Sequence, residues 1–134
     1  MPDKVFFDTN ILIYALAQND RRTARAEELL LAGGVVSVQV LNEFASVARR
    51  RLGMQWSEVR EALNSIRTLC SSPTPLTLAT HDFALIIAER YKYEIYDALV
   101  ISSALNAKCN VLLSEDLQHG QVIEKRLTIQ NPFR

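Results

Sequence analysis

The chain has 134 residues, 49% of them hydrophobic, and its 15 Lys and Arg balance its 15 Asp and Glu. That length fits one domain and can bury a core without disulfide or metal staples, and the apolar share excludes a disordered or fibrous chain. Zero formal charge argues against a grossly basic nucleic-acid binder of the histone or zinc-finger kind, but not against a local basic patch. Cys70 and Cys109 are far apart, lie among apolar neighbours and form no CxxC. They read as small core residues in a reducing compartment. Asp3, Lys4 and Asp8 interrupt any signal-like apolar stretch, and the longest apolar run, Ile11–Ala17, is far too short to span a membrane. The expectation is a single cytoplasmic domain over 1–134, with no membrane association.

In chain order, Lys4–Phe7 is rich in β-formers and reads as a first strand. Asp8-Thr9-Asn10 then favours a turn or helix cap, and a helix begins within Ile11–Ala17. A second helix is expected over Arg22–Ala32, stopped by Gly33-Gly34. Val35–Ser37 reads as a short strand, and Val40–Leu52 has helical periodicity up to Gly53. Ser57–Leu69 is a further amphipathic helix, with Glu58 suiting the N-terminal dipole. A Ser/Pro loop leads to an expected third strand at Leu76–Leu78, and helices are expected over Thr80–Tyr93 and Asp97–Lys108. The last of these has no charge between its ends and should be buried. Val111–Leu113 and Leu127–Ile129 complete about five strands. Short apolar strands alternating with helices predict an α/β fold with a parallel sheet covered on both faces. In such sheets ligands bind beyond the carboxyl ends of the strands.

Four carboxylates are conspicuous by their isolation. Asp8 is the only charge between Val5 and Ala17 and falls just past the first strand, and Asp97 precedes ten uncharged residues. Neither has a basic partner on its own helix at helical spacing. Glu43 sits at the margin of the apolar arc of its helix, again without a basic partner, and Asp116 follows the fourth strand as Asp8 follows the first. Burying an unpaired carboxylate costs several kcal/mol, so such groups are normally neutralised, paired or metal-bound. Singly, Asp8 and Asp97 read as readily as helix N-caps, Glu43 as a solvated rim residue and Asp116 as a turn residue. Together they are consistent with a shared cation site, and hard oxygen ligands without His or Cys suit Mg²⁺ or Mn²⁺ better than zinc.

The stretches around these acids carry a resemblance. Phe7-Asp8-Thr9-Asn10-Ile11-Leu12-Ile13-Tyr14, Val40-Leu41-Asn42-Glu43-Phe44, Tyr96-Asp97-Ala98-Leu99 and Leu113-Ser114-Glu115-Asp116 resemble, in order, the motifs of the PIN-domain nucleases. They look most like the toxins of VapBC toxin–antitoxin pairs, and the match runs through the tail from Leu117 to Phe133. The resemblance implies a three-layer α/β/α sandwich, a Mg²⁺- or Mn²⁺-dependent endoribonuclease, a cognate antitoxin and a homodimer. Carried over by residue, the family's acidic cluster falls on Asp8, Glu43, Asp97 and Asp116, as catalytic residues and metal ligands. Ser114 and Asn10 match positions that support it. A PIN-type RNA-processing nuclease without an antitoxin, and a non-catalytic interaction module, are the alternative readings.

The remaining features are less pointed. Arg21, Arg22 and Arg25, and Arg49-Arg50-Arg51, form two clusters that suit an RNA backbone but equally suit exposed helix faces. His81 and His119 lack ligand-like spacing, Trp56 reads as core, and the role of Glu115 is open. A haloacid-dehalogenase-like phosphatase would want a second Asp where Asn10 stands. A phospho-receiver domain would want acidic neighbours and a following Lys.

Overall fold

The computed structural model describes residues 2–134. Strand β1 (Val5–Phe7) leads into helix α1 (Thr9–Leu16), then α2 (Thr23–Ala32), α3 (Val38–Arg50), α4 (Trp56–Leu69), α5 (Leu78–Tyr91) and α6 (Ile95–Asn106). The chain returns to the sheet as β2 (Val111–Leu113), β3 (Val122–Ile123) and β4 (Leu127–Gln130). The sheet order is β1-β2-β4-β3. β1 pairs parallel to β2, with Val5 opposite Val111 and Phe7 opposite Leu113. β2 pairs parallel to β4, and β3 closes the edge antiparallel. Adjacent strand residues point to opposite faces, yet Phe6 and Phe7, and all of Val111–Leu113, are buried. Both faces of the sheet are therefore covered, as expected of the α/β class.

Two expected strands turn out differently. Val35–Ser37 forms only single parallel bridges, Phe6 to Val35 and Ser37 to Thr74. Its backbone still adds to the sheet: Phe7 N–H donates to Val35 O at 2.9 Å, and Val35 N–H donates to Val5 O at 2.8 Å. The strand expected at Leu76–Leu78 is absent. The bridge falls at Thr74, and Thr77 instead caps α5, its hydroxyl accepting from Thr80 N–H at 3.1 Å. Ser37 caps α3 in the same way through Val40 N–H at 3.1 Å, so both helices start about two residues before their first clearly periodic positions.

The antiparallel strand β3 is the unforeseen element, which makes the sheet mixed rather than wholly parallel. Glu124 and Lys125, which turn β3 into β4, both hold left-handed φ, 50° and 58°. Such turns usually announce themselves by Asn or Gly. Here the conformation is held from outside: Glu124 N–H donates to Tyr91 Oη at 2.9 Å, while Arg90 Nη1 and Tyr91 Oη donate to Glu124 Oε2 at 2.7 and 2.8 Å.

The core runs from Phe6, Ile11 and Leu12 through Phe44, Ile87 and Ile101 to Leu112 and Ile129, all fully buried. Both cysteines are buried and free, and α6 is buried from Ala98 to Leu105. Among the described residues no helix is long and apolar enough to cross a membrane. Gly34 is where the bridging segment meets the core: a Cβ there would lie 2.4 Å from Phe7 Cε2. Because Phe7 is 1% exposed and has nowhere to move, Gly34→Ala is expected to cost about 1–3 kcal/mol. A shifted urea midpoint checks this, and an unchanged midpoint would refute the close-approach account.

Candidate active site

The parallel pairing of β1 with β2 builds the site. With Phe7 opposite Leu113, both strands end at the same level, and the next residues, Asp8 and Ser114, meet beyond their carboxyl ends. Asp8 N–H donates to Leu113 O at 3.0 Å, and Ser114 Oγ donates to Asp8 Oδ2 at 2.7 Å. Asp8 is also the N-cap of α1, its Oδ1 accepting from Thr9 N–H at 2.7 Å. The helix cap fixes this carboxylate beside Ser114 and Asn10, at the carboxyl ends of β1 and β2.

Asn10 ties this corner together. Its amide donates to Asp116 Oδ2 at 3.2 Å and more weakly to Asp8 and Ser114, both at 3.4 Å, while its carbonyl oxygen accepts from Glu115 N–H at 3.2 Å. Ser114 Oγ in turn accepts from Asp116 N–H at 3.2 Å. Glu43, on the inner side of α3, takes a long hydrogen bond of 3.5 Å from Thr9 Oγ1. Its other oxygen, Oε1, is buried and has no partner. Asp97 lies in the first turn of α6 rather than at its cap, which belongs to Glu94. Thr9, Asn10, Glu43 and Asp116 share the wall of a cleft of about 310 Å³.

The electrostatics link all four acids. Burial, with the nearby charges of Glu43 and Asp116, pushes Asp8 up to about 6 against the hydrogen bonds from Ser114 and Thr9. Burial also raises Glu43, and Asp97 adds to it, while the Gln39 amide eases the charge without reaching good hydrogen-bond geometry to the buried oxygen. Asp97 is raised by burial and then by Glu94 and Asp116. The influences run pairwise, Asp8 with Glu43 and Asp116, Glu43 with Asp97, and Asp97 with Asp116. Among the described residues, no three His, Cys, Asp or Glu side chains stand close enough to grip an ion as they are.

Glu115 is kept out of the cleft. Its carboxylate accepts from Arg22 Nη1 at 2.8 and 3.0 Å and from the Tyr14 hydroxyl. Burial alone would raise it, but these bonds outweigh burial and hold it low. Arg22 also pairs with Asp20 at 2.9 Å and lies 3.8 Å over the Tyr14 ring. Trp56, read from the sequence as core, is 57% exposed with Arg49 stacked 4.8 Å from its ring centre. It is the first residue of α4, on the rim rather than inside. His119 accepts from Asn131 N–H through Nδ1 at 2.9 Å, and His81 is exposed, so neither joins the site. Sequence reasoning overlooked Thr9 and Tyr14, which bear no charge to mark them out.

A family model for the PIN domain matches residues 5–125. The chain belongs to the PIN-domain family. The match spans all four acidic positions. No curated protein matches the chain in sequence. Among solved structures, the fold of this PIN domain is similar to that of a toxin–antitoxin complex from Klebsiella pneumoniae. There the TM-score is 0.71 at 17% identity, over 96% of this chain and 98% of that one. It is also similar to VapC20 of Mycobacterium tuberculosis, described as a sarcin–ricin loop cleaving toxin, with TM-score 0.69 at 19% identity over 84% and 92% of the two chains. A third is VapBC2 of Rickettsia felis bound to promoter DNA, with TM-score 0.67 at 17% identity over 95% and 97%.

Proposed function

We propose that this PIN domain is a Mg²⁺- or Mn²⁺-dependent endoribonuclease and the toxin of a toxin–antitoxin pair. The observation that supports the reading is the chain of carboxylates Asp8, Glu43, Asp97 and Asp116, linked pairwise by their charges, with Glu43 Oε1 buried and unpartnered. An orphaned carboxylate oxygen among raised carboxylates is the signature of a site whose charge is balanced by something else. Hard oxygen donors without His or Cys fit a small divalent cation. Asp8 and Asp97 would be the principal ligands, with Glu43 and Asp116 completing the set directly or through water. Such a cation supplies charge neutralisation at the phosphoryl oxygens and a more acidic water.

The chain's own residues do the rest. Thr9 N–H and Ser114 Oγ fix the plane of the Asp8 carboxylate, and Asn10 locks the Asp116 loop against α1. Hydrolysis needs water to attack phosphorus as the ester P–O bond opposite it breaks and the leaving oxygen takes up a proton. Held carboxylates keep that geometry without reorganisation. Arg22 and Tyr14 withdraw Glu115, so a fifth charge does not repel the substrate.

The toxin reading is supported by similarity to a toxin–antitoxin complex along nearly the full length of both chains. It implies a small antitoxin partner, a homodimer and action in the cytoplasm. The test is cleavage of a mixed RNA pool with Mg²⁺ or Mn²⁺, with and without chelator. Cleavage that chelator stops is expected, and no cleavage in either metal would overturn the assignment in favour of a binding module. Ser114→Ala should lower activity about 10- to 100-fold at subsaturating metal and recover partly at high metal, since it loosens a ligand rather than removing one. Equal activity at every metal concentration would refute that supporting role.

A further inference from the structure

The three consecutive arginines that end α3 do three different things. Arg49 stacks on Trp56 and donates to Met54 O at 2.9 Å, and Arg50 donates to Ser46 Oγ at 3.1 Å on the same helix. Arg51 alone lines the cleft with Glu43 and Asp116, and among the described residues it makes no salt bridge to either. An arginine that shares a cleft with carboxylates without pairing to them has its donors available for a third group. A phosphodiester suits it, because guanidinium matches two phosphate oxygens at once. Arg51 also lines a neighbouring groove of about 440 Å³ with Leu16, Gln18, Leu52 and Met54. That groove meets the acidic cleft at Arg51. Gln18 and Glu58 stand in its wall beside Leu16, Leu52 and Met54, so it offers apolar contact and hydrogen-bonding groups to an unpaired base or ribose, and the Glu58 carboxylate disfavours a second phosphate there.

We infer that Arg51 is a substrate-positioning residue, holding a backbone phosphate at the mouth of the carboxylate cleft while the adjoining nucleoside of a single RNA strand lies in the Leu16–Met54 groove. The inference rests on RNA as substrate of this cleft, and it adds the residue that lets a polyanion approach four acids. It also requires an unpaired strand, since a base in a duplex cannot turn into the groove.

The test compares wild type, Arg51→Ala, Arg51→Lys and Arg60→Ala, the last removing one exposed charge elsewhere. The probe is a fluorescein-labelled pool of random single-stranded 12-mer RNA, bound in calcium and in chelator and followed by anisotropy across a salt series. Arg51→Ala should bind about 10- to 100-fold more weakly. Its salt dependence should be shallower by about 0.7 in log–log slope, the loss of one phosphate contact to a single strand. Arg51→Lys should recover part of the affinity, and Arg60→Ala should match wild type. In cleavage, Arg51→Ala should raise KM far more than it lowers kcat. Its backbone N–H bonds Val47 O at 2.7 Å whatever the side chain, so melting should not change. Wild-type affinity and slope in Arg51→Ala would overturn the inference while leaving a metal-dependent nuclease standing. Arg51-dependent binding without cleavage would support it while the nuclease reading fails. No RNA binding by wild type in either buffer would overturn it.

Discussion

Replacing Asp8 by Asn should lower RNA cleavage by at least about 10²-fold and, in metal-free buffer at pH 7, make the protein more stable by about 1–2 kcal/mol. The two effects have one cause. Asp8 is 6% exposed, and burial next to Glu43 and Asp116 lifts it from 3.8 to about 6. At about 1.4 kcal/mol per unit, that amounts to roughly 3 kcal/mol against the ionised folded form. Asn caps a helix as well as Asp does, so α1 keeps its start, but part of the gain is given back in the altered bond to Ser114. The sign follows from proton linkage. Below 3.8 Asp8 is protonated in both states and costs nothing. Between 3.8 and about 6 the folded chain holds the proton more tightly, so stability falls as pH rises, and above about 6 the cost is constant. Glu115 and Glu124 titrate with the opposite sign but do so in both proteins, so the difference between wild type and Asp8→Asn isolates the site. Urea titrations from pH 3.5 to 7.5 should show that difference opening across this window, and adding Mn²⁺ should close it by stabilising wild type alone. A variant less stable than wild type at pH 7 would mean that Asp8 is a purely structural cap.

Phe44→Ala should cost about 3–5 kcal/mol, a large part of the ~5–15 kcal/mol that holds a domain of this size together. Phe44 is fully buried and follows Glu43 on α3, a helix that packs against α1, α4 and α6. The ring sets the depth and rotation of α3, and with them the place of the Glu43 carboxylate. Phe44→Leu, which leaves a smaller void, should cost less than Phe44→Ala. The checks are the urea midpoint and the activity of each variant at a temperature where it is folded. A loss under about 1 kcal/mol for Phe44→Ala would show that α3 is positioned by its other contacts.

What was legible beforehand followed from the physics of each signal. β1, β2 and β4 are short apolar runs bounded by polar turns, and α6 carries no charge after Asp97, so their type and burial could be read directly. Asp8 and Asp97 stood out because an unpaired charge in apolar surroundings is costly. β3 was invisible because its turn depends on Tyr91 and Arg90, more than thirty positions away, rather than on a local Gly. The strand expected at Leu76–Leu78 failed because Thr77 finds a better use as a cap. Trp56 was misplaced because an aromatic at helical spacing does not reveal whether it faces inward. The division of labour among Arg49, Arg50 and Arg51 is a matter of where α3 ends, which periodicity does not resolve to a single residue.

The bond between Ser114 and Asp8 joins residues 106 positions apart, and this has a consequence for how the molecule comes into being. A growing chain that has emerged through α6 already carries Asp8, Glu43 and Asp97, yet it lacks β2, so β1 has only the Val35 bridge beside it and Asp116 has not been made. Contacts this distant in sequence form late and all together. The cleft is therefore complete only once β2 has paired with β1 and the segment through Asp116 has folded back onto α1.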